Sequence, residues 1–177
     1  MPPPDEDAFR RRRDAALGQP CAFERALLAR CAACGLARSV LLAEREAIGC
    51  QSQAASERCR AYHDELRAAS RFALRADASA PWPFSKEIRL QCGGLIGLRQ
   101  ALDEADGSAE GDGDGAREGD AGDDAAGAGS ADPAAPVDDA DALLQRALAR
   151  WGGLEALPYS RVIRAVIRHE PRRRAPR

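Results

Sequence analysis

At 177 residues the chain has room for one ordinary domain, or for a small domain with an arm. Aromatics make up only 5% and Met1 is the sole methionine. The core must be built from Leu, Val, Ile and Ala, which is thin for the length, so a cross-link or a metal is expected to supplement it. Residues 103–141 carry 14 acids and one base, Arg117, for a charge of −13. The rest carries 25 bases and 14 acids, for +11, so the net −2 describes neither part. No run of ~18 apolar residues is present, which excludes a membrane-spanning helix. The opening Met-Pro-Pro-Pro-Asp-Glu-Asp lacks the pattern of a signal peptide. A reducing cytoplasm is therefore expected, a setting that favours metal over disulfide for cysteines.

Residues 1–19 read as a basic polar arm around Arg10–Arg13, and a run of four arginines suggests contact with a polyanion. Pro20 suits the first position of a helix. Phe23, Leu27, Leu28, Cys31 and Cys34 follow at helical intervals, and Gly35 is a plausible stop. Residues 36–49 bring Leu36, Val40, Leu41 and Ile48 around Glu44-Arg45-Glu46, which predicts a short helix ended by Gly49. Ser52 or Ser56 can cap the next helix, expected to run to about Ala76 with Cys59, Tyr62, Leu66, Ala69 and Ala73 inward.

Pro81 and Pro83 interrupt helix. Ser85 then caps a helix to about Leu102, with Ile88, Cys92, Leu95 and Leu102 on its apolar side. Gly93, Gly94 and Gly97 each cost that helix about 1 kcal/mol relative to Ala, so another backbone is expected to pass close by. Residues 103–141 are an acidic Ala/Gly/Asp stretch in which Val137 is the only sizeable apolar residue. Its composition predicts a disordered linker. Residues 142–170 predict a helical hairpin, with Leu143, Leu144, Ala147 and Leu148 in the first helix and Val162, Ile163, Val166 and Ile167 in the second. Residues 171–177 are a basic tail.

Cys21, Cys31, Cys34, Cys50 and Cys59 fall within 39 residues, and His63 lies one turn beyond. Thiolates this closely gathered suit zinc, which takes four tetrahedral N/S ligands, or an iron–sulfur cluster. The expected set is Cys31, Cys34, Cys50 and Cys59, with Cys21 and His63 as alternative ligands. Gly35 and Gly49 flank it and would let backbone N–H groups approach sulfur. Cys92, alone on an apolar face, reads as a small core residue. A nucleophile–base pair of Cys59 or Cys34 with His63 is conceivable, but nothing marks an orienting third residue or an oxyanion site.

Cys21-x9-Cys31 and Cys50-x8-Cys59 also resemble the twin Cys-x9-Cys helical hairpins of the mitochondrial intermembrane space, over residues 21–59 only. That resemblance implies disulfides joining Cys21 to Cys59 and Cys31 to Cys50. The reading carried forward is an all-α protein. It has a cysteine-rich helical body at 20–102, a linker at 103–141 and a helical hairpin at 142–170 that packs back on the body, with Gly93–Gly97 as its docking place. The expected role is non-catalytic metal binding in support of a binding or regulatory task. A redox or cluster-handling role is the rival and an enzyme the third option. An unidentified protein partner and weak polyanion or nucleic-acid binding, masked by the acidic insert, are the expected interactions.

Overall fold

The computed structural model describes residues 11, 13, 15–42, 44–77, 81–109, 132 and 135–170. Of the Arg10–Arg13 run, Arg11 and Arg13 are therefore described. The tail at 171–177 and most of the acidic stretch lie outside the described residues.

The core is organised around one helix, here α3, Phe84–Ala109, of 26 residues; it follows α1 (Glu24–Leu28), β1 (Ala37–Leu42), β2 (Arg45–Cys50) and α2 (Gln53–Ser70). The carbonyl of Pro83 accepts the N–H groups of Lys86 and Glu87 and so starts α3. From Leu90 to Leu98 every residue of α3 is buried, because partners cover it on all sides. α4 (Ala140–Trp151) and α5 (Tyr159–Arg168) complete the chain order. α5 lies across Gly93 and Gly97: a Cβ on Gly97 would meet the Val162 carbonyl oxygen at 2.9 Å, and one on Gly93 would meet the α5 backbone at Val166. The close approach expected at these glycines is therefore that of the last helix. On another side α2 sets the fully buried Tyr62 and Leu66 against α3, and the Tyr62 hydroxyl donates to the Gly94 carbonyl at 3.1 Å. Gly152, with φ +85°, ends α4 in the left-handed conformation that glycine adopts without penalty.

The expectation of an all-α fold is overturned. The chain is mostly helical but carries a two-stranded antiparallel sheet, β1 paired with β2 from Ala37 opposite Cys50 to Leu42 opposite Arg45. The residues assigned to a helix at 36–49 form this hairpin. Leu41, one of the apolar residues that suggested that helix, is 72% exposed. Gly49 does not terminate a helix. It sits within β2 and pairs with Pro20, where a Cβ would press on Leu17 and the Gln19 carbonyl.

The helix expected from Pro20 to Cys34 is likewise only five residues, Glu24–Leu28. Arg30 takes φ +57°. The N–H of Arg30 bonds the Leu27 carbonyl, and that of Cys31 reaches back to Ala26. This paired return is the Schellman stop, built on an arginine where glycine is usual. Cys31 and Cys34 consequently lie in an irregular segment rather than one turn apart on a helix.

The boundaries of the acidic stretch also shift. α3 continues into it as far as Ala109, and Val137, Asp139 and Ala140 hydrogen-bond the 31–35 segment. Val137, at 3% exposed, forms a parallel bridge with Ala32.

Candidate metal centre

Four chain segments meet beneath the β-hairpin. Residues 19–21 run extended beside β2, with the Cys21 N–H on the Ile48 carbonyl (2.9 Å) and the Cys50 N–H on the Gln19 carbonyl (2.8 Å). Cys34 precedes the tight turn into β1, where the Ala37 N–H returns to the Cys34 carbonyl at 3.1 Å. Cys50 ends β2 opposite Ala37. Cys59 follows on α2, whose first turn is capped by the Ser52 hydroxyl accepting the Ala55 N–H. The sulfur-bearing residues Cys21, Cys34, Cys50 and Cys59 thus line one hollow, walled by Phe23, Leu27, Leu36, Ala55 and Ala140, with Asp141 at its side. All four are free thiols.

The backbone is disposed toward these sulfurs. The Phe23 N–H favours the charged form of the Cys21 sulfur, and the Leu36 and Asp141 N–H groups favour that of Cys34. The Cys50 thiol instead donates to the Ser52 carbonyl at 3.2 Å. Burial pushes the Cys21 thiol up to about 11 against the Phe23 N–H, and the neighbouring Cys34 and Cys50 add to the rise. Burial, then the Asp141 charge, pushes Cys59 up to about 12. Cys34 is raised as well, by burial, which outweighs the lowering influence of the Leu36 and Asp141 N–H groups. These three thiols are therefore protonated at neutral pH and weakly nucleophilic. As they stand, no three His, Cys, Asp or Glu side chains among the described residues are gathered tightly enough to hold an ion. Binding would require the sulfurs to draw inward and shed their protons.

The other side of the hollow comes from the N-terminus of α4. Asp139 caps that helix by accepting the Asp141 and Ala142 N–H groups, both at 2.9 Å, and accepts the Gly35 N–H on its other oxygen at 2.8 Å. Burial alone would raise its carboxyl, but these three N–H bonds hold it below the usual 3.8. Gly35 therefore gives its N–H to a carboxylate rather than to sulfur. Asp141, 5% exposed, is neutralised by Arg58 at 2.5 Å and accepts the Gln145 amide at 2.6 Å. Neither aspartate stood out in the sequence, because both lie within an acid-rich stretch of uniform composition.

Two expected ligands lie elsewhere. Cys31 is joined by a disulfide to Cys92 in α3, 61 positions along the chain, with Cα atoms 5.8 Å apart. That bond takes Cys31 out of the free-thiol set, puts Cys21 in its place, and gives Cys92 a partner. It also overturns the pairing implied by the twin Cys-x9-Cys resemblance, since Cys21, Cys50 and Cys59 are free.

His63 faces away from the sulfurs. Its Nε2 lies 2.7 Å from Glu87, which also accepts from Arg67 at 3.2 Å and from the Gln91 amide at 3.0 Å. Gln91 in turn accepts the N–H groups of Arg25 and Ala26 in α1. His63 thus ties α2 to α3 and is not placed as a base for Cys59 or Cys34.

No helix among the described residues is long and apolar enough to cross a membrane. Comparison with protein families, with curated proteins and with solved structures finds no match, so function is read from the chemistry of the site.

Proposed function

We propose that the protein is a non-catalytic metal-binding module that holds a thiophilic metal, as zinc or an iron–sulfur cluster, through Cys21, Cys34, Cys50 and Cys59. One observation carries this reading. Four free thiols from four different segments, scattered over 39 residues of sequence, line a single apolar hollow. Four sulfur donors complete a tetrahedral zinc set, and thiolates are equally the ligands of iron–sulfur clusters. The nearby Phe23, Leu36 and Asp141 N–H groups favour the charged form of Cys21 and Cys34 and would help stabilise the thiolates that a metal requires. A bound metal would cross-link the 19–21 segment, the hairpin and α2. That is a structural task suited to a binding or regulatory protein.

The test is metal analysis and visible absorbance of the full chain purified without oxygen, with Cys21→Ser and Cys59→Ser beside the parent. Stoichiometric colourless zinc identifies a structural module. Iron with thiolate charge-transfer absorbance identifies a cluster, and with it the cluster-handling role. Both metals should fall in the two variants, and metal loading should weaken as pH falls, because protons compete for the sulfurs. Full metal occupancy in a Cys21/Cys59 double variant would remove the proposal.

A further inference from the structure

The segment from Cys31 to Cys34 belongs to no helix or strand, yet it must present the Cys34 sulfur to the hollow. Three ties hold it. The first is the Cys31–Cys92 disulfide. The second is the bridge to Val137, in which the Val137 N–H bonds the Cys31 carbonyl (3.0 Å) and the Ala33 N–H bonds the Val137 carbonyl (2.8 Å). The third is the Asp139–Gly35 contact just beyond. Among these the disulfide alone is covalent, and it anchors the segment to α3. Cys92 is 1% exposed and adjoins Gly93, over which α5 passes. Three residues span at most about 11 Å, so a fixed Cys31 restrains the position of Cys34 directly.

We propose that the Cys31–Cys92 disulfide is a redox control on the four-thiol site: intact, it holds Cys34 against the hollow, and reduced, it releases the segment and metal affinity falls. This rests on reading the four thiols as a metal site. Cys31 is partly exposed and Cys92 is not, so an external dithiol attacks the Cys31 sulfur and Cys92 leaves as thiolate. The second thiol of the reductant then displaces Cys31. The S–S bond gains two electrons and two protons, and the dithiol becomes its own disulfide. Freed of the staple, Cys31 holds its side of the Val137 bridge by one carbonyl. That bridge in turn seats the α4 N-terminus, whose Asp139 carboxylate accepts the Gly35 N–H next to Cys34.

The experiment titrates the full-length apoprotein with cobalt(II) and reads thiolate-to-cobalt absorbance. The oxidised form is compared with protein reduced by a water-soluble phosphine, which takes up the oxygen of water and leaves two thiols, and with a Cys31→Ala/Cys92→Ala double variant. Far-UV circular dichroism is recorded on each. The expected result is a Kd for cobalt at least tenfold higher in the reduced protein and in the double variant, with native helix signal retained. Reoxidation with a small-molecule disulfide should restore the parent affinity and leave the double variant unchanged. Equal affinity in the oxidised and reduced parent overturns the control while leaving the metal site standing. Loss of helix signal together with metal on reduction also overturns it, because the staple then holds the fold and not the site. No cobalt absorbance in the oxidised parent overturns the metal site itself.

Discussion

The two halves of this molecule are held together by different means. Around α3 the contacts are many and interchangeable in kind: Leu66, Leu90, Leu95, Leu98, Val162 and Val166 are fully buried, and glycines let α5 approach at backbone distance. Around Cys21, Cys31, Cys34 and Cys50 the elements are short, a five-residue helix and two six-residue strands. Shape there depends on a few individual ties: one disulfide, one parallel bridge, one capping aspartate. A closely packed helical core spreads its stability over many side chains. The thiol region concentrates it in a few bonds, each of which can be cut separately.

Cutting the disulfide should have the largest effect. Removing a cross-link between residues 61 apart returns loop entropy to the unfolded chain worth about 4 kcal/mol. Urea unfolding of the Cys31→Ala/Cys92→Ala variant measures it, and a loss below about 1 kcal/mol would show that the cysteine region stands on its other ties. Gly97→Leu attacks the opposite half. Its side chain would have to displace the Val162 backbone and the Ala165 methyl, which should cost about 3 kcal/mol, with the α5 amides losing hydrogen-exchange protection first. An effect confined to the cysteine region would contradict the picture of α3 as the shared core.

Asp139→Ala removes a helix cap and the Gly35 tie together and should cost about 1 to 2 kcal/mol, with metal binding weakened as well. Asp139→Asn, which keeps an acceptor, should recover most of both. The pH dependence tests the helical half. Burial would raise the Glu87 carboxyl, but the His63 and Gln91 hydrogen bonds and the nearby charges of His63 and Arg67 bring it below its ordinary 4.5. Because the folded value is the lower one, this stabilisation is present above 4.5 and is lost as pH falls through the folded value. The urea midpoint of Glu87→Gln should therefore fall less steeply than the parent's as the solution is acidified from about pH 5 to 3.

The smallest effect is expected from replacing residues 111–131 by a short Gly/Ser tether, since a twofold change in loop length alters closure by only about 0.6 kcal/mol. The cut has to stop there. Asp106 pairs with Arg146 at 3.2 Å, and Arg99 bonds the carbonyls of Asp132, Ala135 and Pro136. A large fall in the thermal midpoint would show that the acidic residues contribute to the fold.

Periodicity made the helical half readable. α2, α3, α4 and α5 all follow from apolar spacing, and Gly93 and Gly97 announced a close neighbour because glycine in mid-helix needs a reason. The cysteine half was less legible, for physical causes that differ from place to place. The two residues between the strands, Ala43-Glu44, include neither Asn nor Gly, so the usual hairpin signal is missing. Arg30 stops α1 in a conformation that sequence ordinarily assigns to glycine. Cys92 looked like core because its partner is 61 positions away, and spacing carries no information at that range. Val137 was visible as the one large apolar side chain in a polar stretch, and it is the residue that packs. The clustering of thiols was evident. Which four share a hollow was not, because that depends on the hairpin.

The bridge between Ala32 and Val137 also bears on the order of events during synthesis. Every sulfur of the hollow has been synthesised once Cys59 has been made. The N–H of Asp141 and the Asp139 carboxylate, which complete the surroundings of Cys34, come more than 75 residues later. At about 5–20 residues per second the nascent chain therefore carries its thiols for several seconds before the wall beside them exists, and during that interval they meet metals and oxidants without the protection of the finished fold.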